Sequence, residues 1–305
     1  MLVTFAAGVD IAASLEVFRR SGDDLIDRWD GARLVRCLRV GTVTVPFRAD
    51  LRAPDAFHVS CEDAYVEPVQ ACVASSFVAA PASYAALLAS DPVLARLDAA
   101  LPGIRQVRQL DLFTALVRCI SAQQVNLRWA ATTRRRLAEA FGERHTIAGE
   151  TVYWLDPARI ASLSPSEIRA LQFTTSKAVS LIAVARAVVD GHARLEDLHT
   201  MHDEEVVRCL THIRGIGRWS AEWVLARTLG RPTVVAGDLG VRKAVGLAYL
   251  DNPIPTEAEV RAATAHWGEA AGSAQALVLH ALGEGLLSPA RPVRRPVKSP
   301  LASRA

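Results

Sequence analysis

Leu210 to Gly240 reads LTHIRGIGRWSAEWVLARTLGRPTVVAGDLG, and its order of helix, glycine hairpin, second helix, short loop and single carboxylate decides the fold of the chain around it. Upstream, Val206, Val207, Leu210 and Ile213 share one helical stripe over 203–213, and Thr200, three residues before Asp203, suggests a capping box. Gly215-Ile216-Gly217 must then turn, with both glycines free to take positive φ and to let a partner approach the backbone, while Ile216 plugs the turn into a core. A new helix begins at Arg218. Its unpaired N–H groups and positive dipole end suit a phosphate and read no base, so Arg214, Gly215, Gly217, Arg218 and Ser220 are candidate DNA contacts.

A GxG triplet alone is a common tight turn. The longer pattern is more specific: a leucine, the glycine-apolar-glycine hairpin, Arg218-Trp219-Ser220-Ala221, and Asp238 nineteen residues beyond Trp219. Together these resemble the helix-hairpin-helix DNA glycosylases, and the tryptophan after the hairpin resembles the AlkA-type 3-methyladenine DNA glycosylase II branch. The resemblance implies a mostly α fold, a helical helix-hairpin-helix body beside a small N-terminal α+β antiparallel sheet domain. It puts Asp238 at the catalytic position, where the residue can also cap the helix that follows. It further implies that main-chain carbonyls of Thr211, Ile213 and Ile216 hold a structural monovalent cation that bridges to a phosphate, with no other cofactor required.

Composition agrees with a globular chain of two ordinary domains: 305 residues, half of them hydrophobic. No apolar run approaches the roughly 20 residues that span a bilayer, and Leu2 to Ala7 lacks the form of a signal peptide, so a cytoplasmic, DNA-associated monomer is expected. The five cysteines are scattered without CxxC spacing, which points to neither a disulfide framework nor zinc. None follows Cys209, so the iron-sulfur loop of the related endonuclease III branch is missing. Net charge is +3, carried almost wholly by arginine; the arginines near the hairpin are Arg214, Arg218, Arg227, Arg231 and Arg242.

Three segments are expected: an N-terminal α+β domain over 1–80, a helical body over 81–287, and a disordered Pro/Arg tail over 288–305. Ile11, Leu15 and Phe18 mark a first helix, and 33–40, 42–49 and 57–61 read as strands. From Asp111 the chain reads as wholly helical. Ser121 to Asn126, SAQQVN, resembles the family's turn that faces the minor groove. By that likeness Gln124 is the side chain that fills the gap left by a flipped base, with Gln123 beside it. Asn126 then caps a helix ending at Gly142, whose Arg134, Arg135 and Arg136 are expected in solvent, and Thr175 or Ser176 caps the helix through Val189.

A glycosylase flips its nucleotide out and stabilises positive charge on the sugar, the role assigned to Asp238. Trp219 stands where bifunctional members carry a lysine, so no Schiff base or strand cleavage is expected. Trp219 and Trp223, four residues apart, share a helix face, and their indoles suit a cationic base such as 3-methyladenine or 7-methylguanine. The partner is double-stranded DNA with a damaged base. The family's W-x-P signature departs here to Trp267-Gly268-Glu269-Ala270, and Leu279 or His280 stands near a missing pocket aromatic. Glycosylases for neutral lesions such as uracil or hypoxanthine, and non-catalytic damaged-DNA binding, therefore stay as alternatives.

Overall fold

A computed structural model describes residues 1–5 and 8–287; the tail expected over 288–305 lies outside them. Five strands, β1 (Leu2–Thr4), β2 (Arg28–Trp29), β3 (Arg33–Val40), β4 (Val43–Ala53) and β5 (Ala56–Ser60), form an antiparallel sheet in the order β1-β5-β4-β3-β2. Gly41, at φ 58, closes the β3–β4 hairpin so that Val40 pairs with Val43. Period-two alternation then turns Val45, Phe47 and Ala49 inward, where Phe57 and Val59 join them. Helices α1 (Ile11–Ser21) and α2 (Val66–Ala74) cover that face with Ile11, Leu15, Val69 and Val73.

Among the described residues the rest is helical apart from one hairpin, β6 (Glu143–Ile147) with β7 (Glu150–Trp154), which the periodicity did not announce. The remaining helices are α3 (Ser83–Ser90), α4 (Pro92–Ala100), α5 (Leu112–Ala122), α6 (Leu127–Phe141), α7 (Pro157–Ala161), α8 (Pro165–Ala170), α9 (Thr175–Val189), α10 (Leu195–Thr200), α11 (Asp203–Thr211), α12 (Arg218–Arg227), α13 (Leu239–Val245), α14 (Glu257–Thr264) and α15 (Ala271–Gly283). They gather on two cores. One joins α5, α9, α11 and α12 through Leu116, Ile120, Leu181, Leu210, Ile216 and Val224; the other joins α4, α13 and α15 through Leu94, Val245 and Leu277. The loop after α12 passes from the first core to the second, so Asp238 stands at their seam.

Several caps differ from expectation. Thr174, rather than Thr175 or Ser176, accepts the Lys177 N–H to open α9. His202 precedes α11, and the Glu205 carboxylate reaches back to its N–H at 2.9 Å, while the Thr200 hydroxyl turns to the Asp197 carbonyl inside α10. The helix that follows Asp238 keeps α geometry only to Val245 and continues as one π turn over Gly246–Leu250. Arg134 is the main correction. It is buried, donating to Asp24 at 2.8 Å and to the Ser121 hydroxyl at 2.9 Å. Arg118 joins Asp24 and Asp27, and Arg36 closes the chain on Asp27. Burial alone would push Asp27 up, but the Arg36 and Arg118 guanidinium groups reverse this and hold it down to about 2. This network ties the sheet domain to the root of the 121–126 turn.

Candidate active site and nucleic-acid interface

The hairpin is built as a backbone surface. Gly215 takes φ +88, and a Cβ there would stand 2.1 Å from Oγ and 2.3 Å from Cβ of Ser180 on α9, so both conformation and contact require glycine. Gly217 differs from expectation: its φ is −100 and ψ 179, extended backbone, and open space lies where its Cβ would be. Its missing side chain leaves room for an outside partner rather than permitting a turn. Ile216 is buried between them and donates to the Ile213 carbonyl at 3.0 Å. The first bond of the α12 ladder runs from Ala221 N–H to Gly217 carbonyl, so the N–H groups of Arg218, Trp219 and Ser220 have no intrahelical partner. The Ser220 hydroxyl is turned into the core, and its main-chain N–H is what it can offer a phosphate.

The arginines nearby divide sharply. Arg218 is spent on Glu204 at 2.8 Å and Glu222 at 2.9 Å, Arg231 on Asp203 and the carbonyl end of α10, and Arg242 on the Pro255 carbonyl. Arg214 is exposed and, among the described residues, makes no ion pair. It is the hairpin guanidinium left for a phosphate.

The 121–126 turn meets the hairpin directly, since Gln123 Nε2 donates to the Gly215 carbonyl at 3.0 Å. Gln124 follows in the left-handed region at φ 55 and is exposed, an arrangement unusual for a residue with a side chain. Below it the turn is anchored: Lys177 Nζ donates to the Ser121 carbonyl at 2.9 Å, Arg134 holds the Ser121 hydroxyl, and Asn126 caps α6 through the Trp129 N–H. Burial pulls the Lys177 ammonium pKa down. Gln124 is thus exposed on an anchored turn whose preceding residue, Gln123, touches the hairpin.

Asp238 caps α13 by accepting the Val241 N–H at 3.1 Å on one oxygen. The other oxygen accepts the Trp219 indole N–H, also at 3.1 Å. Both oxygens are oriented, and the side chain remains half-exposed at the seam of the cores. Trp219 and Trp223 share one face of α12, as their spacing requires, but the face of Trp223 is taken by the Arg227 guanidinium, 5.7 Å from the ring centroid. Around this group lie Cys119 of α5, whose thiol is pushed up by burial and then by the Asp238 charge, and His280 of α15, which burial pulls down. Leu279 comes within 3.3 Å of where a Gly240 Cβ would be, so the last helix does border the carboxylate, with a leucine in place of an aromatic. Trp267 is buried in the second core. Sequence reasoning placed Arg227 among the hairpin cations; its spacing of eight residues from Trp219 was the signal that it belongs to this stripe instead.

The chain matches the family model described as HhH-GPD superfamily base excision DNA repair protein over residues 117–270. It is 32% identical over 183 residues to a DNA-3-methyladenine glycosylase of Bacillus subtilis, covering 59% of this chain and 60% of the relative. It is 33% identical over 134 residues to DNA-3-methyladenine glycosylase 2 of Escherichia coli, 44% and 47% of the two chains. The chain thus spans about half the length of these curated relatives. Among solved structures, a 3-methyladenine DNA-glycosylase from Archaeoglobus fulgidus superimposes with TM-score 0.82 at 21% identity, covering 92% of this chain and 98% of that one, a likeness of fold. With the hairpin, its carboxylate nineteen residues past the tryptophan and the matching family model in hand, the chain belongs to the HhH-GPD superfamily of base excision DNA repair proteins.

Proposed function

We propose that this protein is a monofunctional DNA glycosylase that flips alkylated purines such as 3-methyladenine and 7-methylguanine out of double-stranded DNA and hydrolyses their N-glycosidic bonds. The observation that carries the reading is the half-exposed Asp238 carboxylate, fixed by the Trp219 indole and the Val241 N–H, beside a helix N-terminus with free amides. The backbone of Gly215, Gly217, Arg218 and Ser220 and the Arg214 side chain hold phosphate. Gln124, with Gln123 behind it, enters the stack as the nucleotide leaves, and flipping costs a few kcal/mol. Trp219 and Trp223 line the pocket.

Asp238 then acts by charge. As the bond lengthens, the sugar gains positive charge at C1′, and a carboxylate whose oxygens need no reorientation stabilises it. Water adds to C1′, oriented by the same group. Trp219 offers no amine, so the reaction stops at the abasic site. Carbonyls of Thr211, Ile213 and Ile216 would hold a monovalent cation at the hairpin. The Ile213 carbonyl accepts one N–H and keeps a lone pair, which fits a shared ligand. No other cofactor enters, and the protein works as a cytoplasmic monomer; among the described residues no helix is long and apolar enough to cross a membrane. The test is release of free base from methylated duplex DNA. Accumulation of 3-methyladenine is expected, and tight binding of damaged duplex without release would favour a binding protein.

A further inference from the structure

Between Trp219 and Arg227, every residue of α12 is buried except Trp219, Trp223 and Arg227, which recur at every fourth position and form one open stripe. The first donates to Asp238, and the last lays its guanidinium over the ring of the second. The stripe therefore ends in a cation beside the Trp223 ring. The arginines enclosed elsewhere in this chain are satisfied: Arg36, Arg118 and Arg134 by Asp24 or Asp27, and Arg108 by the Thr228 carbonyl. Among the described residues, Arg227 has no carboxylate within 4.0 Å and its guanidinium donates no hydrogen bond. Burial pulls it down and the Asp238 carboxylate opposes this, yet a guanidinium stays charged at neutral pH.

With no hydrogen bond or ion pair of its own among the described residues, the Arg227 guanidinium keeps its N–H edge free. That edge matches a carbonyl oxygen with an adjacent ring nitrogen, the acceptor pair on many base edges. A cationic base brought to the Trp223 face would meet its own charge there, so the indole pair does not by itself select cations.

We propose that Arg227 is a catalytic residue on the base side of the pocket, donating to a carbonyl oxygen or ring nitrogen of a flipped neutral base and stabilising the negative charge that base carries away. This rests on the glycosylase reading above. When the N-glycosidic bond breaks, its electron pair stays on the base nitrogen and the sugar becomes an oxocarbenium ion facing Asp238. Water supplies hydroxyl to C1′, and its proton ends on the departing nitrogen of a neutral base or passes to solvent when the base was cationic. A ring-alkylated cationic purine leaves as a neutral molecule and needs no help of this kind. Hypoxanthine or uracil leaves as an anion, and only there does a guanidinium at the base edge bind the transition state better than the ground state. Asp238 serves both substrate classes; Arg227 serves the neutral one.

The experiment is single-turnover excision from matched duplexes carrying hypoxanthine or 7-methylguanine, by the unaltered protein, Arg227→Gln and Arg227→Lys, with abasic-duplex affinity measured alongside. Arg227→Gln should slow hypoxanthine release by about 30-fold or more while 7-methylguanine release is not slowed, and Arg227→Lys should recover part of the loss on hypoxanthine. Uracil and 5-fluorouracil add a readout that a structural role would not move. The more acidic 5-fluorouracil should suffer less from Arg227→Gln, because it bears its charge more easily. Equal losses on both lesions, or an unaltered protein that releases 7-methylguanine and no neutral base, would overturn the proposal and leave the glycosylase reading intact. Release of neither base would overturn both.

Discussion

Gly215→Ala probes the contact that sets the hairpin. At φ +88 an alanine costs about 1 kcal/mol relative to glycine. Its Cβ would also stand 2.3 Å from the Ser180 Cβ, against the roughly 3.5–4.0 Å at which carbon atoms rest. Rotating the Ser180 side chain removes the 2.1 Å clash with Oγ but not the one with Cβ, so α9 and the hairpin must part by more than about 1 Å, an overpacking of about 1–3 kcal/mol. The expected loss is therefore about 2–4 kcal/mol by urea unfolding. Ser180→Gly in the same chain removes both clashing atoms and should return about 1–2 kcal/mol, even after the roughly 0.5 kcal/mol that a helix-interior glycine costs relative to serine. Ser180→Ala keeps the Cβ and should return little. A loss under about 0.5 kcal/mol for Gly215→Ala, or an equal rescue by alanine and glycine at position 180, would refute the reasoning. DNA affinity should fall in parallel, since the Gly215 carbonyl also receives Gln123.

Asp27 is held down to about 2 from 3.8, so it contributes on the order of 2 kcal/mol that is present above pH 4 and lost as pH falls through 2. Asp27→Asn should flatten that acid limb and, by leaving Arg36 and Arg118 short of a partner, cost about 3–5 kcal/mol at pH 7; an unchanged acid slope would contradict this. Borohydride should trap no covalent adduct with DNA, because Trp219 supplies no amine and Lys177 is committed to the Ser121 carbonyl; a trapped band that disappears in Lys177→Met would overturn it. Gln124→Ala should weaken binding to an abasic duplex more than to undamaged DNA, whereas equal losses would make Gln124 a plain backbone contact.

Local rules carried much of the architecture. The hairpin, the Asp238 cap, Asn126 and the glycine stop at 142 all lie within a few residues of the groups they serve, which is why periodicity and capping chemistry found them. Long-range partners were invisible. Arg134 read as solvent-exposed because Asp24, 110 residues away, is what draws it inside. Arg218 looked free until α11 brought Glu204 beside it, and Arg227 looked like a phosphate ligand until α12 was rotated into place. Gln172 sits in the left-handed region at φ 70 although it carries a side chain, and Arg136 holds its side-chain carbonyl. A turn of this kind is set by tertiary contact rather than by residue type.

The most direct test of the central claim is base release by Asp238→Asn. Asparagine keeps the shape of the residue and can still cap α13, so folding and binding to abasic duplex should be preserved. What is lost is the negative charge of the carboxylate. Release of 3-methyladenine from methylated DNA in single turnover should fall by about 100-fold or more. An Asp238→Asn protein that releases base as fast as the unaltered chain would contradict the account.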